Sequence, residues 1–379
     1  MNVMIVVTHL LGTGHLSRAL TLARAFHHAG HRVSVVSGGM PAPHLHDRDI
    51  PLMQLPPVRS NGVDFTQLLG EAGQVVSQSD LADRQAALLT HFHDIDPDVL
   101  ITELFPFGRR ILRTEFRALL DSARARAQPP LVCASIRDIL APPSKPKKAT
   151  FADETIAAFY DAVLVHSDAE ITPLDLSWPV SAVLKPKLHY TGFVAPPPAP
   201  PHPDGAGTAE VLVSAGGGDV GAHIFATALK AAAQDSDRRW RLLLGGAHAG
   251  RRSAEMASTA PANVTIEPAR PDFRQMLHHA AASVSMCGYN TALDVLQTGC
   301  PAVFIPFDAG NEVEQGIRAR ALGERHGIDV VRDADLTAQT LLDALSRVSA
   351  LPRPAALHKG LDGAARTVQI VSTLLQARP

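Results

Sequence analysis

Short apolar runs recur along the chain without the alternation of a half-buried strand. They occupy 3–7, 32–36, 99–102, 131–135, 162–165 and 188–191, and then 210–214, 240–244, 264–267, 282–286, 302–305 and 329–331. A longer segment of helical period separates most of them. Continuously apolar strands belong to parallel sheets covered on both faces, and their alternation with helices predicts repeated β–α units. Each half of the chain therefore reads as a doubly wound α/β domain, whose ligands bind beyond the carboxyl ends of the strands where strand order switches.

Between the halves, residues 195–208 read Ala-Pro-Pro-Pro-Ala-Pro-Pro-His-Pro-Asp-Gly-Ala-Gly-Thr. Six prolines forbid a helix and remove the donors a central strand needs. The predicted organisation is a first domain over 1–195, a linker over 196–208 with an extended spacer and a flexible glycine end, a second domain over 209–360, and a terminal helix over 361–379. That helix has apolar spacing and no strand after it, which suits packing back on the first domain. Two such domains would turn their strand ends toward one central cleft, and the polar segment 70–79 reads as a mobile loop over it.

The chain has 379 residues, 46% hydrophobic and 19% charged, and a mean hydropathy of +0.05. This composition excludes a disordered or fibrous protein, and no apolar run is long enough to span a membrane. Lys+Arg at 35 against Asp+Glu at 37 gives a net charge of -2, without the basic excess of a nucleic-acid binder. Cys133, Cys287 and Cys300 form no metal-ligand spacing and no disulfide framework, and the start of the chain shows no basic leader; the expected compartment is the reducing cytoplasm. Oligomeric state stays open.

The first βα turn, 9–18, reads His-Leu-Leu-Gly-Thr-Gly-His-Leu-Ser-Arg. Gly12 and Gly14 let a ligand approach the backbone, and the following helix offers free amides and positive potential. It is not the dinucleotide fingerprint, because Ser17 stands where a third glycine belongs and no acid closes the second strand. His15, in the first helical turn, would be kept neutral by the helix dipole as a base, or would merely satisfy the turn. Glu103 and Asp138, just past two apolar strands, suit a general base toward an acceptor hydroxyl, or ion pairs with Arg109 and Arg137.

In the second half, the strand ending at Ser214 runs into Ala215, Gly216, Gly217 and Gly218, an anion-binding loop without the Lys of a P-loop, or a plain tight turn. Gly288, Tyr289, Asn290 and Thr291 open a helix; Asn290 or Thr291 would cap it, its amides suit a diphosphate, and Asp294 one turn on suits a ribose diol or the helix dipole. Glu314 and Gln315 begin another helix, with side chains suited to sugar hydroxyls or simply solvated. The paired histidines at 27–28, 44 and 46, 91 and 93, and 278–279 lack the further ligands of a zinc site.

Taken together, the 12–20 turn, the 214–218 loop and the block from Gly288 to Gln315 resemble the GT-B glycosyltransferases, with family 28 as the nearest likeness and densest agreement over 264–322. The resemblance implies two Rossmann-like domains facing a cleft, and a nucleotide-sugar donor, of the UDP-sugar class, held by the C-terminal domain. It implies diphosphate contacts from Ser214, Gly216, Gly217, Gly218, Gly288, Tyr289, Asn290 and Thr291, the base against the backbone near Arg270, the ribose at Asp294, and the donor sugar at Glu314 and Gln315, with Gly14 of the first turn as a further donor-binding candidate. The implied activity is inverting, metal-independent sugar transfer without a cofactor to a soluble or peripheral acceptor, with His15, Glu103 or Asp138 as candidate base. Family 28 peptidoglycan enzymes have a longer glycine-rich first loop and an apolar acceptor patch that are not evident here. The first turn also resembles a nucleotide-sugar hydrolase of pseudaminic acid synthesis, so hydrolysis, or binding without chemistry, stands as the alternative.

Overall fold

The structure, a computed structural model, describes every residue except 46–47, 61–66, 217–220, 247, 309–312 and 379, together with the side chain of residue 44. The chain forms two compact units, Met1–Val194 with Gly360–Pro379, and Ala195–Lys359.

The first unit contains β1 (Asn2–Val7), α1 (Gly14–His28), β2 (Arg32–Ser37), β3 (Leu52–Gln54), α2 (Gln78–Ile95), β4 (Val99–Glu103), α3 (Arg113–Arg124), β5 (Leu131–Arg137), α4 (Pro146–Phe159), β6 (Ala162–His166) and β7 (Leu188–Tyr190). Its seven strands are parallel, in the order β3-β2-β1-β4-β5-β6-β7. β1 shows why the runs are apolar throughout. Val3, Ile5 and Val7 face one layer with Leu20 and Phe26 of α1, while Met4 and Val6 face the other with Phe92 of α2 and Phe116 of α3. Every position from Val3 to Val7 is therefore withdrawn from water. The short edge strand β3 was not anticipated, since three residues ending in a glutamine carry no period. Segment 70–76 is a tight turn tied by a Leu69–Val75 bridge, not an open loop, and Ser77 caps α2 through the Asp80 amide at 3.1 Å.

The second unit contains β8 (Glu210–Ser214), α5 (Ala222–Gln234), β9 (Arg239–Leu244), α6 (Ala249–Ala257), β10 (Val264–Pro268), α7 (Phe273–Met276), β11 (Ala282–Ser285), α8 (Tyr289–Thr298), β12 (Ala302–Phe304), α9 (Glu314–Gly323), β13 (Ile328–Val330) and α10 (Ala338–Ser349). Its six strands are parallel, in the order β10-β9-β8-β11-β12-β13. The two sheets thus wind alike, and each reverses direction once, between β1 and β4 and between β8 and β11. At such a point the loops leaving two neighbouring strands diverge to opposite faces and leave a crevice at their carboxyl ends.

The chain then returns to the first unit. The Phe193 amide donates to the Gly360 carbonyl at 2.6 Å and the Gly363 amide to the Phe193 carbonyl at 3.0 Å. A side chain at Gly192, whose φ is +81°, would put its Cβ 2.7 Å from the Gly360 carbonyl oxygen, so the crossing requires glycine. The last helix, α11 (Gly363–Gln376), places Val368 and Val371 in the layer that holds Phe26.

The proline-rich stretch is not the free spacer its composition suggests. Its carbonyls are taken by side chains of the second unit: Gln297 Nε2 donates to Pro196 O at 2.9 Å, Arg274 Nη2 to Pro197 O at 2.8 Å, and a ring nitrogen of His278 to Ala199 O at 2.7 Å. Near its glycine end, His202 meets Asp272 at 3.0 Å. Prolines lack donors but keep their carbonyls, and fixed donors opposite them pin the segment.

Candidate functional site

In the first unit, the loop leaving β1 enters α1 with Thr13 as its N-cap, without a side-chain cap and without an acid in the first turn. His15 is the second residue of this helix and Arg18 lies one turn on, on the same face. Both reach Glu103, the last residue of β4, across the switch point. His15 Nδ1 lies 2.9 Å from Glu103 Oε1, and Arg18 Nη2 donates to the same oxygen. The other oxygen, Oε2, accepts from Ser135 Oγ at 2.6 Å, a residue that the β4–β5 register sets beside Glu103. The Glu103 side chain is 2% exposed, that of His15 14%.

Burial by itself would raise the Glu103 pKa, but the Arg18 charge and the hydrogen bonds from His15 and Ser135 outweigh it and hold the carboxyl well below the usual carboxylate range. His15 Nδ1 lies between Glu103 Oε1 and Arg18 Nη2, which is 3.1 Å away; an ionised carboxylate only accepts, so the proton on Nδ1 is assigned to the bond with Glu103, the guanidinium spends its hydrogen on the carboxylate, and Nε2 keeps its lone pair. The His15 pKa is lowered to about 3, first by burial and further by Arg109 and Arg18, against the opposing effect of Glu103. The ring is thus neutral, as expected, but desolvation rather than the helix dipole is the main cause. A neutral ring with its proton on Nδ1 keeps a lone pair on Nε2, the arrangement a general base would use.

This geometry separates the three catalytic candidates. His15 and Glu103 come together, and Glu103 orients the ring, because its oxygens are engaged and buried. Asp138, one residue past β5, is buried at 1% exposure. Arg109, with its φ at +58°, donates through Nε to the Thr8 carbonyl instead of pairing with Glu103 alone, and burial lowers its pKa to about 10. Arg18 was missed by sequence reasoning, although its three-residue spacing from His15 placed it on the same helical face.

In the second unit the loops leaving β8 and β11 flank the other switch point. Ser214 closes β8 and is buried, and Gly216 has a φ of +78° with open space where a side chain would stand. Gly217 and Gly218 lie outside the described residues. Gly288 is the N-cap of α8, in extended backbone, and offers no side-chain cap. Asn290 and Thr291 are therefore the second and third helical residues and not caps, and the first amides of α8 have no side-chain cap from Gly288. Arg318 of α9 donates to the Cys287 carbonyl at 2.9 Å and lies 5.8 Å from the Tyr289 ring, which braces the loop.

Other donor-side residues are committed within the unit. Asp294 accepts from Arg274 Nε at 2.7 Å, and the same guanidinium donates to Gln297 at 2.8 Å. Burial raises the Asp294 pKa and Arg274 opposes that rise. Arg270 is held by Asp272 at 2.8 Å, so its side chain serves a local ion pair. Gln315 Oε1 accepts from the Phe307 amide at 3.2 Å, while Glu314 opens α9 beside it.

Residues 212–360 match the glycosyltransferase family 28 C-terminal domain. A UDP-N-acetylglucosamine–N-acetylmuramyl-(pentapeptide) pyrophosphoryl-undecaprenol N-acetylglucosamine transferase of Phenylobacterium zucineum is 30% identical over 179 residues, 46% of this chain and 47% of that protein. Its namesake in Mycobacterium sp. is 34% identical over 101 residues, 26% and 27% of the two chains. The chain thus spans less than half the length of these relatives. Among solved structures, the calicheamicin glycosyltransferase superposes with a TM-score of 0.66 at 16% identity, over 99% of this chain and 98% of that one. MurG of Acinetobacter baumannii gives 0.63 at 16% identity over 99% of each. The glycosyltransferase VinC in complex with dTDP gives 0.65 at 16% identity over all of both. The fold is that of the GT-B glycosyltransferases, and the family 28 likeness falls almost wholly within the second unit.

Proposed function

We propose that the chain is an inverting glycosyltransferase that needs no metal, taking a sugar from a nucleotide sugar of the UDP class and passing it to an acceptor hydroxyl. The hydrogen-bonded pair of His15 and buried Glu103 carries this reading. In the proposed step His15 Nε2 takes the proton of the acceptor hydroxyl while its oxygen attacks the anomeric carbon. The bond to the diphosphate breaks, its electron pair leaves with the diphosphate oxygen, and inversion follows from attack opposite the leaving group. The amides that open α8 and the loop at Gly216 are suited to the charge of a diphosphate. Asp294 and Gln315 are proposed to meet ribose and sugar hydroxyls through the capacity their internal bonds leave over.

The donor class is read by thermal unfolding against UDP, dTDP, GDP, ADP and CMP. A ligand at about 100 times its dissociation constant adds roughly 2.7 kcal/mol, a rise of several degrees. The matching sugar nucleotides are then tested for nucleoside diphosphate release with and without acceptors, polyprenyl-diphosphate sugars first because the relatives' names specify them. Release that is abolished by His15→Ala and stimulated by an acceptor is expected. Full turnover in His15→Ala refutes the assignment of the base. Acceptor-independent release at the full rate assigns hydrolysis instead, and no shift with any nucleotide refutes the donor site.

A further inference from the structure

We infer that Ser135, His166 and Thr191 form a positioning relay behind Glu103, a line of donors that fixes the carboxylate and through it the ring of His15. The inference rests on the reading of His15 as the base. The three residues are each 0% exposed and come from neighbouring places in the sheet: Ser135 within β5, His166 at the end of β6, Thr191 just past β7. Ser135 Oγ lies 2.6 Å from Glu103 Oε2 and 3.0 Å from His166 Nε2, and His166 Nδ1 lies 2.9 Å from Thr191 Oγ1.

Counting protons sets the direction of this line. The Glu103 carboxylate only accepts, so the single Ser135 hydroxyl proton goes to it. Ser135 Oγ then has lone pairs alone for His166, and Nε2 must carry the hydrogen. Burial keeps His166 neutral, with a pKa of about 3, lowered further by Arg18 and opposed by Glu103. A neutral ring protonated on Nε2 accepts at Nδ1, so Thr191 donates there in preference to the Gly192 carbonyl, 2.7 Å from its hydroxyl, and the Val165 carbonyl, 3.3 Å from it. Each donor in the line points toward Glu103, and aligned hydrogen bonds polarise one another.

The relay has a use that a packing role lacks. Glu103 is faced by His15 and Arg18 on one oxygen and by Ser135 on the other, with Arg109 adding positive charge near His15. The Ser135 bond draws negative charge away from the oxygen that meets His15 and prevents the carboxylate from turning. Without it the carboxylate stabilises the His15 imidazolium more strongly, and the base becomes protonated at higher pH.

The test uses the full chain with ¹⁵N-labelled imidazoles, followed by NMR without substrate. In the wild type His15 is expected as the Nδ1–H tautomer and His166 as the Nε2–H tautomer. Ser135→Ala is expected to raise the His15 titration midpoint by about one pH unit, tenfold in its protonation constant. His166→Phe moves it the same way, whereas His166→Gln, whose amide can still donate to Ser135, restores the wild-type midpoint. The acidic limb of the kcat profile should move with that midpoint while KM holds. His166 found protonated on Nδ1 in the wild type, an unmoved midpoint in Ser135→Ala, or equal behaviour of the Phe and Gln variants overturns the relay. The NMR readouts need no turnover: a correct relay in a chain that transfers no sugar refutes the proposed activity and not the relay.

Discussion

Replacing Glu103 by Gln keeps the size of the side chain and removes its charge. The Glu103 side chain is 2% exposed and that of Arg18 6%, so the variant leaves the guanidinium in a dry site without the carboxylate that faces it. Breaking a buried ion pair from one side costs about 3–5 kcal/mol, because the remaining charge keeps its desolvation penalty and loses the compensating attraction. For a unit of this size each kcal/mol is worth about 2–4 °C, so the melting temperature should fall by roughly 6–20 °C. Removing both charges, as in Arg18→Met with Glu103→Gln, takes away the penalty together with the attraction and should recover much of the loss. Urea unfolding at pH 7, followed by circular dichroism for the wild type, both single variants and the double, gives the coupling directly. We expect about 2–3 kcal/mol of favourable coupling. A Glu103→Gln protein within about 1 kcal/mol of wild type, or strictly additive variants, would refute the claim that this is a buried, ionised pair.

Three further outcomes follow from the geometry. His15 and His166 have pKa values lowered from 6.5 to about 3 by burial, so the stability they add is complete above pH 6.5 and is lost as pH falls toward 3, where only the unfolded chain takes up the protons. Each ring contributes a slope of about 1.4 kcal/mol per pH unit, and His166→Gln should flatten unfolding free energy between pH 6 and pH 4 by that amount, read by urea titrations. Gly14→Ala meets no protein atom within 4 Å and replaces glycine at a helical position, so its melting temperature should hold or rise while turnover falls, since the added methyl occupies the space a substrate needs; undiminished turnover removes Gly14 from the site. Arg274→Met breaks the bonds to Asp294, Gln297 and the Pro197 carbonyl, and should raise the rate of limited proteolysis within 196–208; an unchanged cleavage rate would show that other contacts hold the segment.

The winding of both units was legible in the amino-acid order, because a strand covered on both faces has no polar position to spare. The run at 3–7 states this without ambiguity, and the glycine turns after it and after 210–214 place loops at the carboxyl edge. Residues 52–54 did not, because an edge strand of three residues needs no apolar repeat. His15 and Glu103 were visible separately as loop-end groups, yet their distance along the chain hides their contact: it exists because β4 lies beside β1 at the switch point. Tertiary packing alone decided that Glu103 is engaged by Arg18 and Ser135, that Asp294 and Arg270 spend their charges on Arg274 and Asp272, and that the prolines at 196–201 are pinned. Periodicity records which positions lose water, a property each segment encodes locally. Which polar group meets which depends on strand order and register, and these are set by the packing of segments far apart in the chain.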